Sequence, residues 1–193
     1  MATKKVVFVD TETGGLDPNK HSILSLAAVV VHNGMIEDEF YTLIREEELV
    51  TDPSALKING LSIVQIDKDG VSPLQAVLMF TNFLQKNDLR KNVQFVAHNA
   101  PFDVPFVSRL FRLAGKDMYK VFSYRALCTV TGALLLELGG KITLPGGSAS
   151  LDNLCKYFHI DLERSKGHNA LDDAIAGAKV YLRELELIGG KTT

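Results

Sequence analysis

Cysteine is scarce in this chain, and long apolar runs are missing. Two cysteines, Cys128 and Cys155, stand in 193 residues. Their spacing matches no metal site, and free thiols in a reducing compartment are the expected state. The longest strongly apolar stretch, Ile23–Val31, falls far short of the ~20 residues that a membrane helix needs. Lys4 and Lys5 lead into only four apolar residues before Asp10, whereas a signal peptide needs ~7–15. A cytoplasmic protein with no membrane association is therefore expected. A basic surplus is also lacking: the net charge is −2 and the pI about 6.2. That counts against a non-catalytic nucleic-acid binder that works by neutralising phosphates. It leaves room for an enzyme that meets phosphates through bound cations, since those charges are not in the sequence. Internal repeats and low-complexity tracts are absent too.

What is present is ordinary in bulk and specific in pattern. An apolar fraction of 46% and a charged fraction of 23% are those of a globular domain. The length suits one domain over residues 1–193, with a core from about 5 to 188. Lys5–Asp10 is a short, solidly apolar strand, consistent with burial on both faces. Ile23–Val31 and Met35–Ile44 read as two further strands, and Asn33-Gly34 between them is a strong hairpin signal. Ser72 and Pro73 then open a helix that carries Leu74, Val77, Leu78, Phe83 and Leu84 on one side. Val93–Ala97 is a fourth strand, Phe102–Ala114 a helix closed by Gly115, and Val121–Ala126 a last strand. Helices over Thr129–Leu138, Ser150–Phe158 and Asn169–Ile188 complete the pattern, the last one ended by Gly189-Gly190. The Gly-, Pro- and Ser-rich segment Gly139–Ser148 is expected to be mobile or weakly ordered. The order of elements predicts an α/β fold with a mixed sheet flanked by helices.

Three short stretches concentrate the chemistry. VVFVDTETGG, at Val6–Gly15, delivers Asp10 and Glu12 as the first strand ends. AHNAPFDVPF, at Ala97–Phe106, places Asp103 near a helix start just after the fourth strand. GHNALDDAIAG, at Gly167–Gly177, puts His168 in a turn and Asp172 and Asp173 in the first turn of the last helix. Each has a plain alternative: an acid in a first helical turn often only complements the helix dipole, and His168 can be a solvated loop residue. In mixed sheets, however, sites form beyond the carboxyl ends of strands. If the first and fourth strands are neighbours, these acids converge.

Taken together, the three stretches resemble the DnaQ-like 3′–5′ exonucleases, the DEDDh group of the ribonuclease H-like superfamily. VDTETGGL resembles the first motif of that family, HNAPFD the second, and HNALDD, with a His five positions before an Asp, the third. ALKINGLS, at Ala55–Ser62, resembles a connecting stretch seen often in the family. The resemblance runs from Val6 to about Glu186, and the His selects the DEDDh branch. It implies a ribonuclease H-like mixed five-stranded sheet and hydrolysis of phosphodiester bonds from a free 3′ end, releasing nucleoside 5′-monophosphates.

Physical chemistry supports the metal dependence that this implies. Two unit charges ~4 Å apart repel by about 4 kcal/mol at an effective dielectric of ~20, so clustered acids must bind protons or cations. Hard oxygen donors suit Mg²⁺ or Mn²⁺, and no Cys or His set favours zinc. Two such ions ~3.5–4 Å apart form the clamp used for in-line attack at a phosphodiester. By the resemblance, Asp10 bridges the two ions, Glu12 and Asp173 hold the ion that activates water, and Asp103 serves the second. His168 is then the general base.

The same resemblance gives the substrate contacts as Thr11 and Thr13, whose backbone would meet the 3′-hydroxyl end, with Leu16, His98, Asn99 and Phe102. Leu16 would wedge against the terminal base, with a buried loop anchor as the equal alternative. A helix turns adjacent residues ~100° apart, so only one of Asp172 and Asp173 can face the site, and the motif spacing selects Asp173. The first motif is similar both to the proofreading subunits of bacterial replicative polymerases and to the tRNA-trimming members of the family. DNA is the expected substrate and RNA trimming the alternative, with a catalytically dead binding module behind both. The chain ends soon after its last helix, without an evident tail for a polymerase, so a stand-alone or loosely associated DNA exonuclease is expected. Some relatives pair, so a homodimer is open.

Overall fold

The computed structural model describes residues 4–162 and 168–189. Five strands form one mixed sheet: β1 (Val6–Thr13), β2 (Ile23–His32), β3 (Met35–Leu43), β4 (Gln94–Ala97) and β5 (Leu127–Cys128). Their spatial order is β3-β2-β1-β4-β5. The first three run antiparallel, and β1 pairs with β4, and β4 with β5, in parallel. The expected hairpin forms: Asn33 and Gly34 take φ of 50° and 77°, the left-handed pair that a tight two-residue turn requires. The first and fourth strands are indeed neighbours.

Seven α-helices lie among the described residues: α1 (Pro53–Asn59), α2 (Ile63–Asp69), α3 (Pro73–Lys86), α4 (Ala100–Leu113), α5 (Thr129–Leu138), α6 (Leu151–Phe158) and α7 (Ala170–Ile188). Ser72 caps α3, its hydroxyl accepting from Gln75 N–H while Gln75 accepts in return from Ser72 N–H. Along β1 successive side chains point to opposite faces. Val7 and Val9 pack with Phe80, Phe106 and Phe111 of α3 and α4, whereas Val6 and Phe8 pack with Ala170, Ala174 and Ala178 of α7. The central strand is thus buried on both faces, as its unbroken apolar run predicts. Outside α7, Ala133 and Leu136 of α5 and Leu151 and Leu154 of α6 build a third cluster against Ala176 and Val180. No helix among the described residues is long and apolar enough to cross a membrane.

Four expectations change. The first strand runs three residues past Asp10, because β2 continues to pair opposite it, Asp10 with Ala27 and Glu12 with Ser25. The last strand is Leu127–Cys128 rather than Val121–Ala126. Phe122 makes only an isolated bridge to Val93, and its apolar signal comes from a ring buried against Phe80, Phe95 and Phe111. The segment Gly139–Ser148 is anchored rather than loose. Ile142 and Leu144 are buried, and Leu144 N–H donates to Glu137 Oε1 at 2.9 Å. Finally, Ala55–Ser62, read only as a connecting stretch, is largely helical: α1 ends within it at Asn59, and α2 follows directly at Ile63. Gly167 and Gly190, expected to flank the last helix, lie outside the described residues.

Candidate active site

The site forms where β1 outlasts its parallel neighbour. Pairing with β4 stops at Phe8 opposite Val96, while β1 runs on to Thr13, so Asp10–Glu12 border an open crevice. Asp10 and Glu12 are two residues apart on a strand and share the face of Phe8, toward α7. Asp173 lies in the first turn of α7, where the helix dipole favours a negative charge. Asn169 caps that helix, its Oδ1 accepting from Leu171 N–H at 2.9 Å and Asp172 N–H at 3.3 Å. One carboxylate oxygen each from Asp10, Glu12 and Asp173 falls within 4.8 Å of the others. His168 Nδ1 sits 3.0 Å from Asp173 Oδ2, with the carboxylate buried and the imidazole side chain 43% exposed. Asp172 is exposed, so the structure separates the two adjacent acids as the motif spacing demands.

Asp103 reaches the crevice from the other side. Asn99 takes a left-handed φ of 61°, which turns the chain from β4 straight into α4 and places Asp103 in its first turn. Thr11 Oγ1 donates to Asp103 Oδ1 at 2.9 Å. Asp103 stands outside the tight carboxylate triplet but lines the same cleft of about 770 Å³. Burial pushes its carboxyl up to about 7, against the lowering effect of the Thr11 hydrogen bonds. The donor chemistry suits a hard divalent cation: three carboxylates in mutual reach and a fourth that its burial leaves reluctant to ionise unless positive charge arrives.

The family model described as Exonuclease, of the RNase T type, matches residues 7–181. The chain belongs to this exonuclease family. It is similar to DNA polymerase III subunit epsilon of Escherichia coli strain K12, with 30% identity over 199 residues, covering 100% of this chain and 74% of that protein. The same subunit of Rickettsia prowazekii is 30% identical over 194 residues, covering 99% and 77%. Among solved structures, Exonuclease I from Methylocaldum szegediense superposes with a TM-score of 0.76 at 17% identity. E. coli Exonuclease I in complex with a dT13 oligonucleotide gives 0.73 at 19%. Each alignment covers 95% of this chain and 41% of the other, so the chain spans about two fifths of those neighbours. At that identity they establish the fold, a ribonuclease H-like one.

The remaining substrate contacts expected of this exonuclease divide. Thr11, His98, Asn99 and Phe102 line the cleft, and His98 Nδ1 lies 2.8 Å from Thr129 Oγ1 at the start of α5. Thr13 does not line it: the residue is buried, and its hydroxyl donates to Gly15 O at 2.8 Å. Leu16 is absent from the lining as well, but its side chain is 82% exposed, which excludes the buried-anchor alternative. The opposite wall had no forecast. Val130 and Leu134 of α5 and the run Gly147–Asp152 complete it. Two apolar residues two apart, Ile142 and Leu144, inside a glycine-rich stretch were the available hint that this segment is pinned to the body.

Proposed function

We propose that this protein is a 3′–5′ exonuclease that removes nucleotides one at a time from the 3′ end of DNA, releasing nucleoside 5′-monophosphates. The observation that carries this reading is the meeting of Asp10, Glu12 and Asp173 within 4.8 Å, beside a histidine held by the third of them. Asp10, Glu12 and Asp173 would hold one Mg²⁺ or Mn²⁺, and Asp103, together with Asp10, a second. Bound there, the cations supply Lewis acidity toward the scissile phosphate and offset the clustered negative charge.

The chain's own residues supply the rest. With His168 Nδ1–H donating to Asp173 Oδ2, the imidazole keeps its lone pair on Nε2, the nitrogen that takes the proton from the attacking water. Asp173 then stabilises the imidazolium. Because the ring is partly exposed, it can pass that proton to solvent after each turnover. Phe102, packed at a tilt against Phe106 with ring centroids 5.1 Å apart, gives the cleft an aromatic surface suited to a base. Leu16, exposed on the loop after β1, serves as the wedge against the terminal base. DNA is favoured over RNA by the similar proteins that are polymerase III subunits and by the neighbour solved with a dT13 oligonucleotide.

The test uses 5′-labelled single-stranded DNA and RNA of one sequence, incubated with Mg²⁺, Mn²⁺ or EDTA. The expected result is a ladder shrinking from the 3′ end of the DNA, abolished by EDTA. Shortening of RNA alone would reassign the substrate, and no cleavage of either would favour a binding module.

A further inference from the structure

Helix α1 is short, seven residues, and an isolated helix of that length is not stable in water. Its only buried residue is a polar one, Asn59; Leu56 packs half-buried against Leu24, Leu43 and Ile66. What fixes the helix in place is therefore mainly polar. At its start, Asp52 N–H donates to Gly14 O at 2.6 Å, and the Asp52 carboxylate meets His21 Nε2 at 3.1 Å. At its end, Asn59 Nδ2 donates to Thr13 O at 3.3 Å, while Asn59 Oδ1 accepts from Leu61 N–H at 3.0 Å. Both anchors lie on the residues that directly follow Glu12.

The last carbonyls of a helix have no partner within it. Gly60, at φ 66°, caps Leu56 O. Ile58 O is left to accept from a distant group, and the donor is the backbone N–H of His168, at 3.1 Å. The end of α1 thus joins the strand carrying two of the acids to the residue carrying the base.

We infer that Asn59 is a positioning residue of this nuclease, which sets His168 against the acidic triplet by fixing the end of α1 to β1. The inference rests on the reading of His168 as the base. Substrate does not need to touch Asn59, so its loss acts on turnover and not on binding.

The experiment compares wild type with Asn59→Ala and with Asn59→Asp, which keeps the acceptor for Leu61 but removes the donor to Thr13. Steady-state kinetics on single-stranded DNA and amide hydrogen exchange of the metal-free protein are read side by side. Expected are a fall in kcat of about tenfold or more with KM within about threefold, and His168 amide exchange about tenfold faster while Phe8 and Val29 amides are unchanged. An unchanged His168 amide with kcat within about twofold of wild type overturns the inference, as does a loss confined to KM. Should either variant fail to fold, Asn59→Ser, too short to reach Thr13, carries the same expectation and the same refutation. A wild-type protein inactive on nucleic acid would sink the proposed function, while the exchange measurement would still decide the role of Asn59.

Discussion

Gly177 and Phe8 set the distance between the last helix and the central strand: a methyl group on the glycine would stand 2.4 Å from Phe8 Cζ. Phe8 precedes Asp10 by one alternation of the strand, and Gly177 follows Asp173 by about one turn of α7. The contact that brings helix to sheet therefore also brings the acids together. Gly177→Ala gains about 1 kcal/mol of helix propensity but overpacks a core contact, at a cost of typically 1–3 kcal/mol or more when backbone must shift. The expected net result is a lower Tm, by about 2–4 °C per kcal/mol lost, with reduced nuclease activity. Thermal unfolding and a gel assay check both. A variant as stable and active as wild type would mean that α7 has slack against the sheet.

Asp172 and Asp173 are neighbours in sequence and opposites in the fold. Asp173→Asn is expected to cost at least about a hundredfold in kcat, since it removes a proposed cation ligand and the partner of His168 in one step. Asp172→Asn, on the exposed side, should change stability by no more than about 0.5 kcal/mol and leave turnover near wild type. Equal losses in the two variants would show that the helix register around the site is wrong.

Asp103 makes stability fall with pH when cations are absent. Its folded carboxyl, raised by burial to about 7, holds a proton that the unfolded chain releases near pH ~3.9. Between these values the folded state binds more protons, so its stability is fullest below about pH 4 and declines as pH rises to about 7. Asp103→Asn keeps an oxygen for Thr11 and removes the titration. In EDTA its Tm should gain on wild type as pH goes from 5 to 8. Glu184, raised by burial to about 9, tilts both proteins the same way and cancels in the comparison. A constant difference across that range would refute the assignment.

Cation binding should be visible without any substrate. At a concentration about 100 times Kd, a ligand that binds only the folded state adds ~2.7 kcal/mol, which is roughly 5–10 °C in Tm for a chain of this size. Mg²⁺ or Mn²⁺ is expected to produce such a rise in wild type. Glu12→Gln, which removes one of the three convergent carboxylates, should shrink it severely. An undiminished rise in that variant would place the cation elsewhere.

Local chemistry made much of this protein legible in advance. The unbroken run Val6–Val9, the Asn33-Gly34 turn and the Ser72-Pro73 helix start are short-range signals, and each resolved as its backbone preferences require. Strand ends and first helical turns marked Asp10, Glu12, Asp103 and Asp173 only as candidates, and it was the three stretches taken together, in their resemblance to one family, that singled them out with His168. Other features depended on partners distant in the chain. Phe122 reads as strand and is a core plug, because three rings from elsewhere surround it. The run Gly139–Ser148 reads as loose and is anchored, because Ile142 and Leu144 find the cluster around α7, and only its last two residues line the cleft.

The sequence alone determined which acids and which imidazole are present, and on which local elements they ride. Tertiary structure decided that β1 continues past the end of β4, that α7 lies close enough for Asp173 to reach Asp10 and Glu12, and that an asparagine at the end of α1 ties the histidine's backbone to the strand. The division follows from the range of the forces. Backbone preference and side-chain period act over a few residues and are written in order along the chain. The free energy of bringing charged groups together is supplied by packing between segments more than a hundred residues apart, and no single stretch contains it.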